Sequence, residues 1–115
     1  MQFLCLGYLN MDEFDAAPEA AKSEILSQCA SLCIPFRETG KVIFEAGVEH
    51  HSQAVSLRPS QQPSKRTFVP GISQLGSVFI IEAEDMEEAI RIASLHPAAQ
   101  LGAEFGFGIE IRPLQ

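Results

Sequence analysis

A histidine at the end of a helix, a tyrosine at the end of a strand and carboxylates set into apolar strands are the groups in this 115-residue chain that could do chemistry. His96 precedes Pro97 at the end of the second long helix, where the negative end of the helix dipole favours a protonated imidazole. A histidine at a pocket mouth can move protons near neutral pH. The same position also suits a plain C-cap that satisfies terminal carbonyls. Tyr8 closes the first strand on the face opposite Cys5; its hydroxyl could orient a polar ligand, or simply sit at the rim of a half-buried aromatic. Glu45 and Glu110 each interrupt an apolar strand. Facing a groove, either would have its pKa raised by burial and become an acid or base; facing water, each is a solvated carboxylate, with Arg112 beside Glu110 as a weak partner. Glu110 shares its face with Gly106 and Gly108, which leave room for a ligand to approach. These groups fit proton transfer on a small, largely apolar carbonyl or phenolic compound, with His96 as acid or base, Tyr8 orienting and Glu45 or Glu110 supporting charge.

Two other pairs are weaker. His50 and His51 are adjacent, so on a strand they point to opposite faces and do not chelate one metal together. Cys29 and Cys33, four apart on a helix, share a face, but no second pair accompanies them and they read as core packing. No phosphate-cradling glycine loop, nucleophile elbow or zinc-protease motif is present. Neither a metal nor a cofactor is therefore expected. The odd count of three cysteines argues against a disulfide framework. No Lys or Arg precedes the apolar Met1–Leu9 stretch, unlike a targeting signal, so a reducing cytoplasm is the expected location. No stretch approaches the roughly 20 apolar residues that span a bilayer. A net charge of -7 repels polyanions, and Lys65-Arg66 is too small a cluster to reverse that, so neither nucleic acid nor membrane is an expected partner.

The elements that must position these groups follow from periodicity. Hydrophobic residues at 46% and charged residues at 20% fit one globular domain over residues 1–115. Met1–Leu9 reads as a central strand, apolar on both faces. A helix is expected from Pro18 to Glu38 with a stripe of Ile25, Cys29, Leu32, Cys33 and Phe36, kinked or ended early by Pro35. Lys41–Val48 reads as a strand with Val42, Phe44, Ala46 and Val48 on one face. Gln53–Arg58 reads as another, and Lys65–Val69 as a short edge strand, with loop composition between them. Ser77–Ala83 is a strand rich in branched residues. Asp85 caps a second helix in a capping-box pattern with Glu88, carrying Met86, Ala89, Ile90 and Ala93 on its apolar side and ending before Pro97. Phe105–Arg112 closes the sheet. The order β-α-β-β-(β)-α-β is that of a ferredoxin-like α+β domain. Two helices cover one face of such a sheet. The apolar residues left on the other face call for a homodimer, with a small-molecule pocket beside the interface.

Leu4-Cys5-Leu6-Gly7-Tyr8, Gln74-Leu75-Gly76, Glu82-Ala83-Glu84-Asp85, Ala89-Ile90, His96-Pro97 and Glu110-Ile111-Arg112-Pro113 resemble the YCII-related proteins of the DGPF type. The resemblance implies a ferredoxin-like fold in a dimeric α+β barrel. The family's acidic-glycine-proline-aromatic motif is degenerate here: the chain reads Lys65-Arg66-Thr67-Phe68, and only the aromatic survives, which leaves Phe68 as a candidate ligand contact. The motif's carboxylates are gone, and any role they serve in relatives is lost or changed. Two functions remain open: an acid–base enzyme of isomerase or lyase type, and a non-catalytic module that binds a small ligand or a protein.

Overall fold

The computed structural model describes residues 1–115. Strand β1 (Gln2–Leu9) leads through a short helix α1 (Met11–Asp15) into the long helix α2 (Glu19–Glu38). Strand β2 (Val42–Gly47), a long connection, strand β3 (Gln74–Glu82), helix α3 (Met86–Ala93) and strand β4 (Gly108–Pro113) complete the chain. The sheet order is β2-β3-β1-β4 with every neighbour antiparallel, the arrangement of a ferredoxin-like domain.

Alternation along the two central strands decides what is buried. Cys5 lies opposite Phe79 and Phe3 opposite Ile81, and all four point into the helix layer. They meet Phe36 of α2 and Ala89, Ile92 and Ala93 of α3 to form the core. Each large side chain buried here contributes about 1.5–3 kcal/mol. Leu4, Leu6, Val78 and Ile80 alternate to the other face, which no helix covers.

Several expectations change. Helix α2 passes through Pro35 to Glu38 without stopping there. Fully buried Phe36, packed edge-on against Phe79, anchors the last turn and outweighs the one backbone bond that proline removes. In α3 the buried positions are Ala89, Ile92 and Ala93, while Ile90 is half exposed. In β2 the register slips between Val42 and Phe44. Val42 therefore joins Glu45 on the helix side, and Phe44 and Ala46 face the bare side, so one strand does not keep one alternation. Gln53–Arg58 and Lys65–Val69 are not strands. The connection holds a 3-10 turn at His51–Gln53 and a single bridge between Ser56 and Ser64. Pro59, Pro63 and Pro70 lack the N–H groups a ladder needs. The last strand starts at Gly108, because Ala103–Phe105 form a 3-10 turn closed by Gly106 at φ 71°.

The molecule measures 42 × 41 × 18 Å, and its radius of gyration of 15.3 Å exceeds the about 13 Å usual for this length. One helix layer on one sheet accounts for the thinness, and the β2–β3 connection widens the slab.

Candidate functional site

The largest concavity, of about 1200 Å³, lies between the β2–β3 connection and the ends of β1 and β3. Tyr8 reaches it because the register of β1 against β3 shifts after Gly7, which sets Tyr8 opposite Leu75. Leu57, Phe68, Val69 and Ile72 give it an apolar wall. His50 and His51 supply polar groups to its lining. Phe68 is steadied by the Arg58 guanidinium, 4.1 Å from the ring centre.

The two histidines do not diverge, so the strand alternation expected of them fails. The chain leaves β2 before them; His50 has φ −52° and ψ 145°, and His51 opens the 3-10 turn. Their rings lie 4.1 Å apart at 32°. Both Nε2 atoms reach Oδ1 of Asp12, at 3.2 Å from His50 and 3.0 Å from His51. A second carboxylate oxygen, Oδ2 of Asp15, lies 3.4 Å from His50 Nε2. The hydrogen bond from His51, more than any other contact, holds the Asp12 carboxyl below its usual range. Helix α1 carries both acids, three residues apart and so on one side. It is held by Met11, which is buried, and by Phe14 packed edge-on against Phe105 at 5.3 Å. The Asn10 N–H also donates to the Phe105 carbonyl at 2.7 Å. Sequence reasoning missed this cluster. The signal that could have found it is the polar run Glu49-His50-His51-Ser52 after an apolar strand, which suits a turn, and in a turn the alternation rule does not hold.

His96 and Glu45 meet elsewhere, in a smaller hollow of about 330 Å³ on the helix side of the sheet. His96 stacks on Phe79 at 4.5 Å and 11° and meets Phe36 edge-on at 5.1 Å. Its Nδ1 accepts the Ala98 N–H at 3.1 Å, so it caps the start of the Pro97–Ala99 turn and does not cap the end of α3. Burial holds its pKa below the usual value, against the raising pull of Glu45, which reverses the protonation expected from the helix dipole. Glu45 is not raised by burial either: Arg37 grips both its oxygens, at 2.7 and 2.9 Å, and lowers it. Tyr8 does not line this hollow. Glu110, Gly106 and Gly108 line neither concavity; Glu110 accepts from Arg112 at 3.1 Å on the bare sheet face, with Gly108 opposite Tyr8. Of the candidate side chains, Tyr8 and Phe68 thus share one groove, while His96 and Glu45 share another.

No family model and no curated protein matches the chain significantly. Among solved structures it is similar to the 5-chloro-2-hydroxyhydroquinone dehydrochlorinase of Burkholderia phenoliruptrix in complex with 2,5-dihydroxybenzoquinone. The TM-score is 0.54 at 14% identity, over 100% of this chain and 94% of that one. At that identity the likeness establishes a shared α+β architecture. No helix is long and apolar enough to cross a membrane.

Proposed function

We propose that this chain acts on a small, largely apolar carbonyl or phenolic compound bound in the Tyr8 groove, by acid–base chemistry of isomerase or lyase type. The observation that carries the reading is convergence: the only tyrosine and two of the three histidines line one apolar-walled groove. Tyr8 orients the compound's oxygen, Phe68 and Leu57 receive its ring, and His50 and His51, backed by Asp12, form the polar end. The quinone held by the distant structural neighbour is of this chemical class. A second reading, a non-catalytic ligand-binding or protein-interaction module, is favoured by the separation of His96 and Glu45 from Tyr8. In either reading the chain works as a homodimer, because the sheet face bearing Leu4, Leu6, Phe44, Val78 and Ile80 has no cover of its own.

A thermal-shift titration tests the site with 2,5-dihydroxybenzoquinone and simple dihydroxyphenols as probes. Binding to the native state raises Tm by mass action, about 2.7 kcal/mol at one hundred times Kd. The expected result is a shift in the wild type and in His96→Asn that disappears in His51→Ala. No shift with any probe, or a shift lost in His96→Asn alone, contradicts the assignment to this groove.

A further inference from the structure

We infer that Asp12, His50 and His51 form a binding site for a divalent transition-metal ion of the zinc type. The inference rests on the groove reading only for the organic ligand; the metal site stands on its own donor set.

Two imidazoles and a carboxylate are the ligands that borderline divalent ions such as zinc take in sites that keep an open position. A four-coordinate ion with bonds of about 2.0–2.1 Å holds neighbouring donors about 3.3 Å apart. Oδ1 of Asp12 stands 3.2 Å from His50 Nε2 and 3.0 Å from His51 Nε2, and all three donor atoms lie within 4.8 Å of one another. Small outward shifts of three partly exposed side chains would admit the ion. Oδ2 of Asp15, 3.4 Å from His50 Nε2, is placed to serve as a fourth donor. The rings point their Nε2 atoms at one carboxylate oxygen from adjacent residues, an arrangement with no evident value to packing at a surface where the Asp12 side chain is 72% exposed. The chain's net charge of -7 adds a general attraction for cations.

The second shell imposes one rearrangement. Without the ion, the Ser52 N–H donates to His50 Nδ1 at 3.1 Å, so the imidazole proton sits on Nε2 and faces Asp12. Coordination through Nε2 moves that proton to Nδ1, where Ser52 Oγ, 3.0 Å away, accepts it. An ion bound here, held by two imidazoles that line the adjoining groove, would polarise the carbonyl or phenolic oxygen of a compound bound there.

The test is calorimetric titration of Zn²⁺ into untagged protein with no organic ligand present, with Tm read in parallel. The wild type is expected to bind one ion per chain and gain thermal stability. His51→Ala and Asp12→Ala each weaken binding about a hundredfold or more, and Ser52→Ala weakens it about tenfold. The metal-free Tm of each variant shows that it folds. Absence of saturable binding in the wild type overturns the proposal. So does binding that survives the His50→Ala/His51→Ala double variant and vanishes in Cys29→Ser/Cys33→Ser, which assigns the ion to the α2 cysteines. Because quinone binding is measured separately with metal chelated, failure of the zinc site and failure of the groove are distinguishable.

Discussion

At the scale of single residues, His96 illustrates how burial can override a local electrostatic argument. Its ring is sandwiched against Phe79 and Phe36, and desolvation favours the neutral form. A histidine whose folded pKa lies below the ordinary 6.5 contributes stability that is complete above that value. This contribution is lost as pH falls from there through the folded pKa, since the unfolded chain then binds the extra proton. Asn at this position keeps an acceptor for the Ala98 N–H but does not titrate. His96→Asn is expected to lower stability at pH 7.5 by about 1–3 kcal/mol through the lost stack. Denaturant titrations of this variant between pH 7 and pH 5 should show a flatter dependence than the wild type; an unchanged slope would place the titrating group elsewhere. Glu45 is held low by Arg37, so its contribution is lost only as pH falls below the ordinary carboxylate value of 4.5. The ion pair is part exposed, and Glu45→Gln should cost no more than about 1 kcal/mol at pH 7. What sequence could reveal here was residue type: His96, Glu45 and Tyr8 stand out as titratable or polar groups in apolar runs. Their environments came from partners elsewhere in the chain, Phe79 and Phe36 around His96 and Arg37 on Glu45, which residue type and alternation alone do not encode.

At the scale of elements, the strands and the two long helices were legible because their periodicity is strong. The stripe of Ile25, Cys29, Leu32, Cys33 and Phe36 is the inward side of α2, and the Asp85 carboxylate caps α3 by accepting the Glu88 N–H at 2.8 Å. Register shifts were not legible. The irregularity at Ile43 places Val42 and Phe44 on opposite faces, although strict alternation gives them one. The stretch before β4 was misread for a related reason: Phe105 and Phe107 look like alternating strand residues, yet Phe105 ends a turn and packs on Phe14. Glycine makes that turn possible. Gly102 has φ 78°, and a Cβ there would lie 2.5 Å from the Phe107 ring. Gly102→Ala is expected to destabilise the protein by about 1–3 kcal/mol. The same substitution should loosen α1, whose Asp12 depends on the Phe14–Phe105 contact for its position, so hydrogen exchange at 11–15 should quicken. Protection of those amides equal to the wild type would contradict this coupling.

At the scale of the whole molecule, the slab has one protected face and one bare one. From His50 to Ile81 the chain has no acidic residue and carries Arg58, Lys65 and Arg66, none in an ion pair, while the remainder holds all 15 acids. Exposed Leu57, Val69 and Ile72 lie in the same segment. A basic, apolar segment and an acidic body are complementary between two copies. Light scattering at micromolar concentration should therefore return twice the 12.6 kDa chain mass, and Ile80→Asp on the bare face should return the single mass; a monomeric wild type would refute the pairing. The groove is also a property of the whole molecule, because its walls come from the β2–β3 connection and its floor from Tyr8, about 50 residues earlier. The chain contains one tyrosine and no tryptophan, so tyrosine emission reports on Tyr8 alone. The most direct measurement is titration of that emission with 2,5-dihydroxybenzoquinone, corrected for absorbance by the quinone. Saturable quenching that persists in His96→Asn and weakens at least tenfold in His51→Ala is the predicted result. Linear, non-saturating quenching equal in all three proteins would mean that the groove holds no ligand of this class.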